Sequence, residues 1–346
     1  MSDLPFKGLA SPIRSPEKVR NLAAQILGIV QRPAGPEVVA GKLASSIKDQ
    51  DERLLQVQRL LNDGFAGVIL SGPPGTGKTW YAAQIAAKLA DGSPNRARFV
   101  QFHPSYQYED FVEGYVPSKG GGFRLAKRHL LEMCDAARKA NGKRCVLVID
   151  ELSRSDPARV FGEALTYVEM TKRNLPFHLA SGRKVTIPDN LVFLATMNPL
   201  DRGVDEIDSA FERRFAQLVM YPDSAVLEVF LHANGVEADL QDRVIRFFKW
   251  CLTNDNLYAQ IGHAYFYSVR DVEGLHRLWN HQLRFLLQKA FRLDPEGFRA
   301  AERAWSRVVN ESPGEPGSTG ASEPTLEREE KLDVDGIDDD LEAGSA

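Results

Sequence analysis

Three groups of residues carry side chains suited to phosphoryl chemistry. The first is the run Gly72, Pro73, Pro74, Gly75, Thr76, Gly77, Lys78, Thr79, which separates an apolar stretch (Val68, Ile69, Leu70) from a helical one beginning at Trp80. Glycines at 72, 75 and 77 let the chain turn with its N–H groups pointing inward, where they and the following helix N-terminus can hold phosphate oxygens. Lys78 is then placed to reach the β and γ phosphates of a nucleotide, and Thr79 to offer its hydroxyl to Mg²⁺. An ordinary Gly/Pro turn would account for the glycines but not for Lys78 and Thr79. The second group is Cys145 to Glu151, CVLVIDE, an apolar strand ending in two carboxylates. Asp150 would hold Mg²⁺ through its water shell, and Glu151 would polarise the water that attacks the γ phosphate. The third is a set of polar residues at element ends. Asn198 closes the strand LVFLATMN, where the carboxyl ends of sheet strands meet a ligand crevice, and it could orient the attacking water; Asn after a strand also serves as a turn residue. Arg213 and Arg214, in FERRF, end a helix just before the last strand; in isolation such a pair reads as a solvated face.

These residues need a scaffold that brings several strand ends together. From Phe65 to about Tyr221 short apolar runs alternate with helical ones, the pattern of a parallel sheet covered on both faces. The expected strands are Gly67 to Leu70, Arg98 to His103, Cys145 to Ile149, Leu191 to Thr196 and Phe215 to Met220. The fold class is therefore α/β, a three-layer arrangement around a five-stranded parallel sheet, followed by a small all-helical domain. Phe177 to Ile187 alternates around Ser181-Gly182 and predicts a hairpin. Beyond Pro222 helices take over: Asp223 to Ala233, Leu240 to Leu252, Val269 to Ala290 and Pro295 to Val309. The expected domains are a short helical N-terminal arm (1–64, with helices at Glu17 to Val30, Glu37 to Ile47 and Asp51 to Leu61), the α/β domain (65–221), the helical domain (222–310) and an acidic tail (311–346). The tail is too rich in Gly, Pro, Ser and acids to bury a core and is expected to be disordered.

The net charge of −4 conceals a division. Residues 311–346 carry twelve acids and two bases, a net of −10, which leaves +6 for the rest. A mildly basic body permits local contact with nucleic acid without requiring it. Cys134, Cys145 and Cys251 lie far apart among apolar residues, so neither a disulfide framework nor a zinc set is expected. No apolar run is long enough for a membrane span and the N-terminus lacks the pattern of a secretory signal; the expectation is a cytoplasmic protein.

Taken together, these motifs resemble those of the AAA+ superfamily of ring-forming NTPases and, more narrowly, the McrB family, the motor subunits of modification-dependent restriction systems. The resemblance covers about Phe65 to Trp279. It rests on the phosphate loop and carboxylate strand together with FHPSYQYEDFVEGY (Phe102 to Tyr115), MNPLDR (Met197 to Arg202) and IGHAYF (Ile261 to Phe266). It implies that Asn198 is the first sensor, that Arg213 or Arg214 is an arginine finger completing a neighbour's site, and that Arg270, in YSVRDVEGL, is the second sensor reading the γ phosphate from a helical lid. It implies a homo-oligomeric ring, expected to be a hexamer, and a separate effector such as a McrC-like nuclease through which DNA is engaged. The family pattern MNTADRS differs from this chain at Pro199, Leu200 and Gly203. That departure weakens the inference to GTP, and a likeness of ATMNP to the MoxR branch favours ATP. The alternative implied by that branch is an ATP-dependent remodelling chaperone acting on a protein client. The aromatics Tyr106, Tyr108, Phe111 and Tyr115 fit either core packing or a face turned to a ring interior.

Overall fold

Five apolar segments pair side by side into one parallel sheet: β1 (Gly67–Ser71), β2 (Ala97–Gln101), β3 (Cys145–Asp150), β4 (Leu191–Met197) and β5 (Phe215–Val219), in the order β5-β1-β4-β3-β2. The computed structural model describes residues 38–39, 42–118, 121–199 and 209–310. Strand alternation sorts the side chains onto two faces. On one face Val68, Leu70, Val146, Val148, Val192 and Leu194 pack with α1 (Glu52–Asn62) and α2 (Lys78–Leu89). On the other, Ile69, Leu147, Ile149, Phe193 and Ala195 pack with α3 (His129–Lys139) and the aromatic group Phe102, Phe111 and Phe161. Both faces are dry, which is why the strands read as continuous apolar runs. The expected α/β layering is present, and the expected hairpin forms as Phe177–His178 against Lys184–Val185.

The stretch from Glu37 to Ile47, expected to be helical, instead contains two antiparallel pairs of residues, Val38–Val39 and Lys42–Leu43. Leu43 N–H donates to Gly92 O at 2.8 Å, so this segment gains backbone partners at the end of α2 that a helix would forgo. The next helix is where expected. Asp51 caps α1, its Oδ1 accepting from Arg53 N at 3.0 Å and Leu54 N at 3.1 Å, a contribution of about 1 kcal/mol. The expected helix Glu17 to Val30 and the tail expected to be disordered lie outside the described residues, as do Leu200 to Arg202 of MNPLDR.

A second hairpin, absent from the sequence reading, joins Glu113–Pro117 to Phe123–Lys127. The aromatic segment before it divides: Phe111 is fully buried and Tyr106 stacks on Phe102 at 4.7 Å, whereas Tyr115 is 71% exposed.

After the sheet come α4 (Ser224–Ala233), α5 (Ala238–Leu252), α6 (Val272–Leu278), α7 (Arg284–Ala290) and α8 (Pro295–Asn310), around a core of their own. Trp279 stacks on Trp305 at 4.9 Å and Phe247 meets Trp305 edge-on at the same distance. The expected single helix over Val269 to Ala290 is split by a π turn, Trp279–Leu283. Trp279 and Leu283, at the two ends of that turn, are both buried. The described residues belong to one compact unit, and among them no helix is long and apolar enough to cross a membrane.

Candidate active site

The phosphate loop begins where β1 ends, and α2 starts at Lys78. Gly75 and Gly77 hold φ of +79° and +81°, a left-handed conformation that residues with a Cβ adopt at a cost. Gly72 is required for a different reason, since a Cβ there would overlap the Met220 carbonyl at the end of β5. The loop is braced internally: buried Thr76 donates through Oγ1 to Pro73 O at 3.0 Å. Lys78 Nζ donates to the carbonyls of Gly72 and Pro73, both at 2.8 Å.

The link between the loop and the carboxylate strand is direct. Thr79 Oγ1 donates to Asp150 Oδ1 at 2.8 Å. Thr196 Oγ1, from β4, donates to the same Oδ1 at 2.6 Å and accepts from Glu151 N–H at 3.1 Å. Thr196 thus fixes Asp150 and the backbone of Glu151 together, a positioning residue that sequence reasoning missed. It is legible only through the pairing of β4 with β3, which sets Ala195 beside Ile149. Glu151 stands in the left-handed region, φ 56°, so its side chain leaves the direction of the strand. Its carboxylate meets Arg154 Nε at 3.4 Å and is 35% exposed. Asn198 follows β4 and is buried, next to Met197, whose carbonyl accepts from Gly72 N–H at 3.2 Å. The loop, Asp150, Glu151 and Asn198 therefore share the carboxyl edge of the sheet.

Among the described residues no cluster of three or more His, Cys, Asp or Glu side chains could hold a metal ion. One hydroxyl and one carboxylate, both hard oxygen donors, suit Mg²⁺, which keeps several waters and takes further oxygens from phosphates. Thr79 and Asp150 fit that ion.

The arginine pair lies elsewhere. Ala66 N–H donates to Arg214 O at 3.0 Å, so Arg214 sits level with the beginning of β1, whereas the phosphate loop follows its end. Five strand residues separate those levels, roughly 17 Å at about 3.3 Å each. Neither arginine can reach the phosphates of its own loop without dismantling the strand. The two also differ from one another. Arg214 is 10% exposed and its Nη2 lies 3.6 Å from Glu169; Arg213 is exposed, with no side-chain partner among the described residues.

The helical region touches the loop through IGHAYF. Gly262 N–H donates to Pro74 O at 3.0 Å and Ala264 N–H to Gly75 O at 2.9 Å. A Cβ on Gly262 would overlap the Gly75 carbonyl. A cleft of about 570 Å³ opens beside this contact, lined by Gly75, Tyr265, Gly274, Arg277 and His281 among others. Arg270 is exposed near Tyr267 and does not line that cleft; Arg277, unmarked by any motif, does.

His263, within IGHAYF, is buried and accepts at Nδ1 from Asp223 N–H at 3.2 Å, which requires the neutral ring. Burial, opposed by Asp223 and assisted by Arg53, lowers its pKa from 6.5 to about 4. Between those values the unfolded chain binds a proton that the folded chain refuses, so stability falls as pH falls from 6.5 towards 4. At about 1.4 kcal/mol per pH unit the loss is on the order of 3 kcal/mol. Thermal unfolding of wild type and His263→Gln over this range should show the wild type losing more on acidification; parallel curves would contradict the assignment.

Comparison with known proteins bears on the same residues. Residues 67–215 match the AAA domain (dynein-related subfamily). The Escherichia coli (strain K12) type IV methyl-directed restriction enzyme EcoKMcrB subunit is 36% identical over 162 residues, 45% of this chain and 35% of its own length. The Bacillus subtilis (strain 168) type II restriction enzyme BsuMI component YdiS is 26% identical over 188 residues, 43% of this chain and 55% of its own. The chain thus spans about a third to a half of those relatives. A solved structure from Cytophaga hutchinsonii covers 83% of this chain and 74% of its own at 15% identity with a TM-score of 0.35, a likeness too loose to weigh.

Proposed function

We propose that this chain, whose residues 67–215 match the AAA domain (dynein-related subfamily) and which is similar over part of its length to restriction-system subunits, is the Mg²⁺-dependent nucleoside triphosphatase of a ring motor of the McrB-like kind, with ATP favoured over GTP. The ring is a hexamer of this chain. It works in the cytoplasm, away from membranes, and drives a separate effector, a McrC-like nuclease, that engages DNA as part of the complex in restriction or phage defence.

One observation carries the hydrolytic part of this reading: the Thr79 hydroxyl bound to the Asp150 carboxylate at 2.8 Å, which joins phosphate loop and carboxylate strand into one site. The loop N–H groups and Lys78 bind the triphosphate. Mg²⁺ held by Thr79 and Asp150 would supply charge neutralisation between the phosphates. Glu151 takes the proton of the attacking water and Asn198 orients that water. The remaining charge on the γ phosphate calls for a guanidinium, and the placement of Arg213 on the far edge of the sheet supports its delivery by the adjacent subunit. The segment 222–310 serves as the lid; the sensor role expected of Arg270 would need that side chain to swing towards the loop, since Arg277 and not Arg270 lines the cleft beside Gly75.

Release of inorganic phosphate from ATP and from GTP, measured side by side with and without the co-purified partner, tests this reading. Slow ATP turnover by the chain and clear stimulation by a partner nuclease are expected. No phosphate from either nucleotide, with the partner present, would refute it. A partner that proves to be a protein client would favour the remodelling alternative.

A further inference from the structure

The hairpin Glu113–Pro117/Phe123–Lys127 has no part in the hydrolytic site, yet it carries two of the most exposed rings of the described residues. Tyr115 is 71% and Phe123 75% exposed. Register places Tyr115 opposite Leu125 and Pro117 opposite Phe123, so the two rings lie diagonally on one face of the ribbon. Packing explains neither, and an apolar ring left in water is a cost that a solvated turn could avoid.

The base of the ribbon, in contrast, is firmly fixed. Arg128 N–H donates to Val112 O at 3.0 Å and its Nε to Glu109 O at 3.1 Å. Buried Glu113 faces Arg183 Nε of the second hairpin at 3.1 Å, and Lys127 meets Asp135 at 2.6 Å. The ribbon thus holds its rings at a set position, tied to the neighbouring hairpin.

Charge indicates what they meet. The described residues of the two hairpins, with Arg128, carry five bases (Arg124, Lys127, Arg128, Arg183, Lys184) against one acid, Glu113. That net of +4 is most of the +6 carried by residues 1–310. Among the described residues no carboxylate pairs with Arg124, Arg128 or Lys184, and Arg124 and Lys184 are exposed. Arg124 pairs with Val116 and so stands on the face of the ribbon opposite the rings, and Lys184 comes from the neighbouring hairpin, which is tied to this one through Arg183 and Glu113. Open rings on one face flanked by unneutralised cations match a strand whose bases stack and whose phosphates run past the ribbon's side. An acidic protein segment would use the cations but has no equal need of two open ring faces.

We propose that this hairpin binds single-stranded nucleic acid directly, Tyr115 and Phe123 stacking on unpaired bases on one face while Arg124, reaching round from the other face, and Lys184 of the neighbouring hairpin hold the phosphates of the backbone that passes the ribbon. The contact belongs to the chain itself rather than to an effector.

Fluorescence anisotropy of a labelled single-stranded oligothymidine, titrated with the full chain and a non-hydrolysable nucleotide, tests it. Tyr115→Ala and Phe123→Ala should each weaken binding about five- to 150-fold. Arg124→Glu should weaken it and flatten its dependence on salt. Leu293→Ala, which removes another exposed apolar side chain at 86%, should change nothing. Unaltered melting temperature and phosphate release in the ring variants would separate lost binding from lost folding or a failed hydrolase. Wild-type protein that does not bind the strand, or ring variants that bind it as tightly, would overturn the proposal. Ring variants that bind the strand normally but no longer co-elute with a protein partner would overturn it in favour of a protein-docking surface.

Discussion

Replacing Glu151 by Gln should slow phosphate release by about 10²- to 10⁴-fold, the usual contribution of a positioned general base, while nucleotide affinity stays within a few-fold. The amide keeps the shape and polarity of the side chain, and the backbone N–H that meets Thr196 at 3.1 Å is untouched. Only the capacity to take a proton from water is lost. Lys78→Ala should behave in the opposite manner and lose binding itself, because the ammonium that would reach the β and γ phosphates is gone. A fluorescent nucleotide analogue and a phosphate-release assay on both variants separate the two outcomes. Full turnover by either variant would refute the assignment of roles.

The second large effect concerns the arginine pair. Arg213→Ala should lower turnover of the assembled protein by about 10³- to 10⁵-fold, as for removal of a finger that stabilises the charge of phosphoryl transfer. Arg214→Ala should act on stability instead, since that guanidinium is 10% exposed and close to Glu169. Thermal melts and turnover on the two single variants distinguish them. If Arg214→Ala abolished turnover with an unchanged melt while Arg213→Ala hydrolysed normally, the roles would be reversed. The distinction rests on exposure, because both residues occupy the same end of the sheet, level with the beginning of β1.

How far these residues could be found without coordinates depended on whether their signal was local. The phosphate loop and the carboxylate strand are local patterns. Glycines at positive φ leave a mark in the sequence, and an apolar run that stops at two acids reveals both a strand and its end. The doubly covered sheet was legible for the same reason, since strands buried on both faces lose their polar alternation. Thr196 left no such mark. A threonine near the end of an apolar strand is an ordinary strand residue, and its importance arises from lying beside Asp150 across a parallel pairing between segments 46 residues apart. Gly262 is another case, because what makes glycine necessary there is the approach of Gly75, far away in the chain.

Two departures from the sequence expectation have physical causes. Val38–Val39 and Lys42–Leu43 carry helix-like spacing, but backbone contact with Gly92 draws them into extended pairing. The hairpin at Glu113–Lys127 leaves little local signal because its rings are exposed where a half-buried ribbon would carry a covered apolar face. In contrast, the π turn at Trp279–Leu283 could not have been read from periodicity, since one added residue within a long helix shifts phase without changing composition.

The account depends on a pocket assembled from two chains, and complementation measures that directly. Lys78→Ala subunits retain Arg213 but cannot bind nucleotide, and Arg213→Ala subunits bind nucleotide but have no finger to lend. Mixed in equal amounts with the partner present, the two inactive proteins should recover phosphate release well above the sum of their separate rates. Recovery of none, with mixed rings demonstrated by co-purification of differently tagged subunits, would contradict a site completed across the subunit boundary.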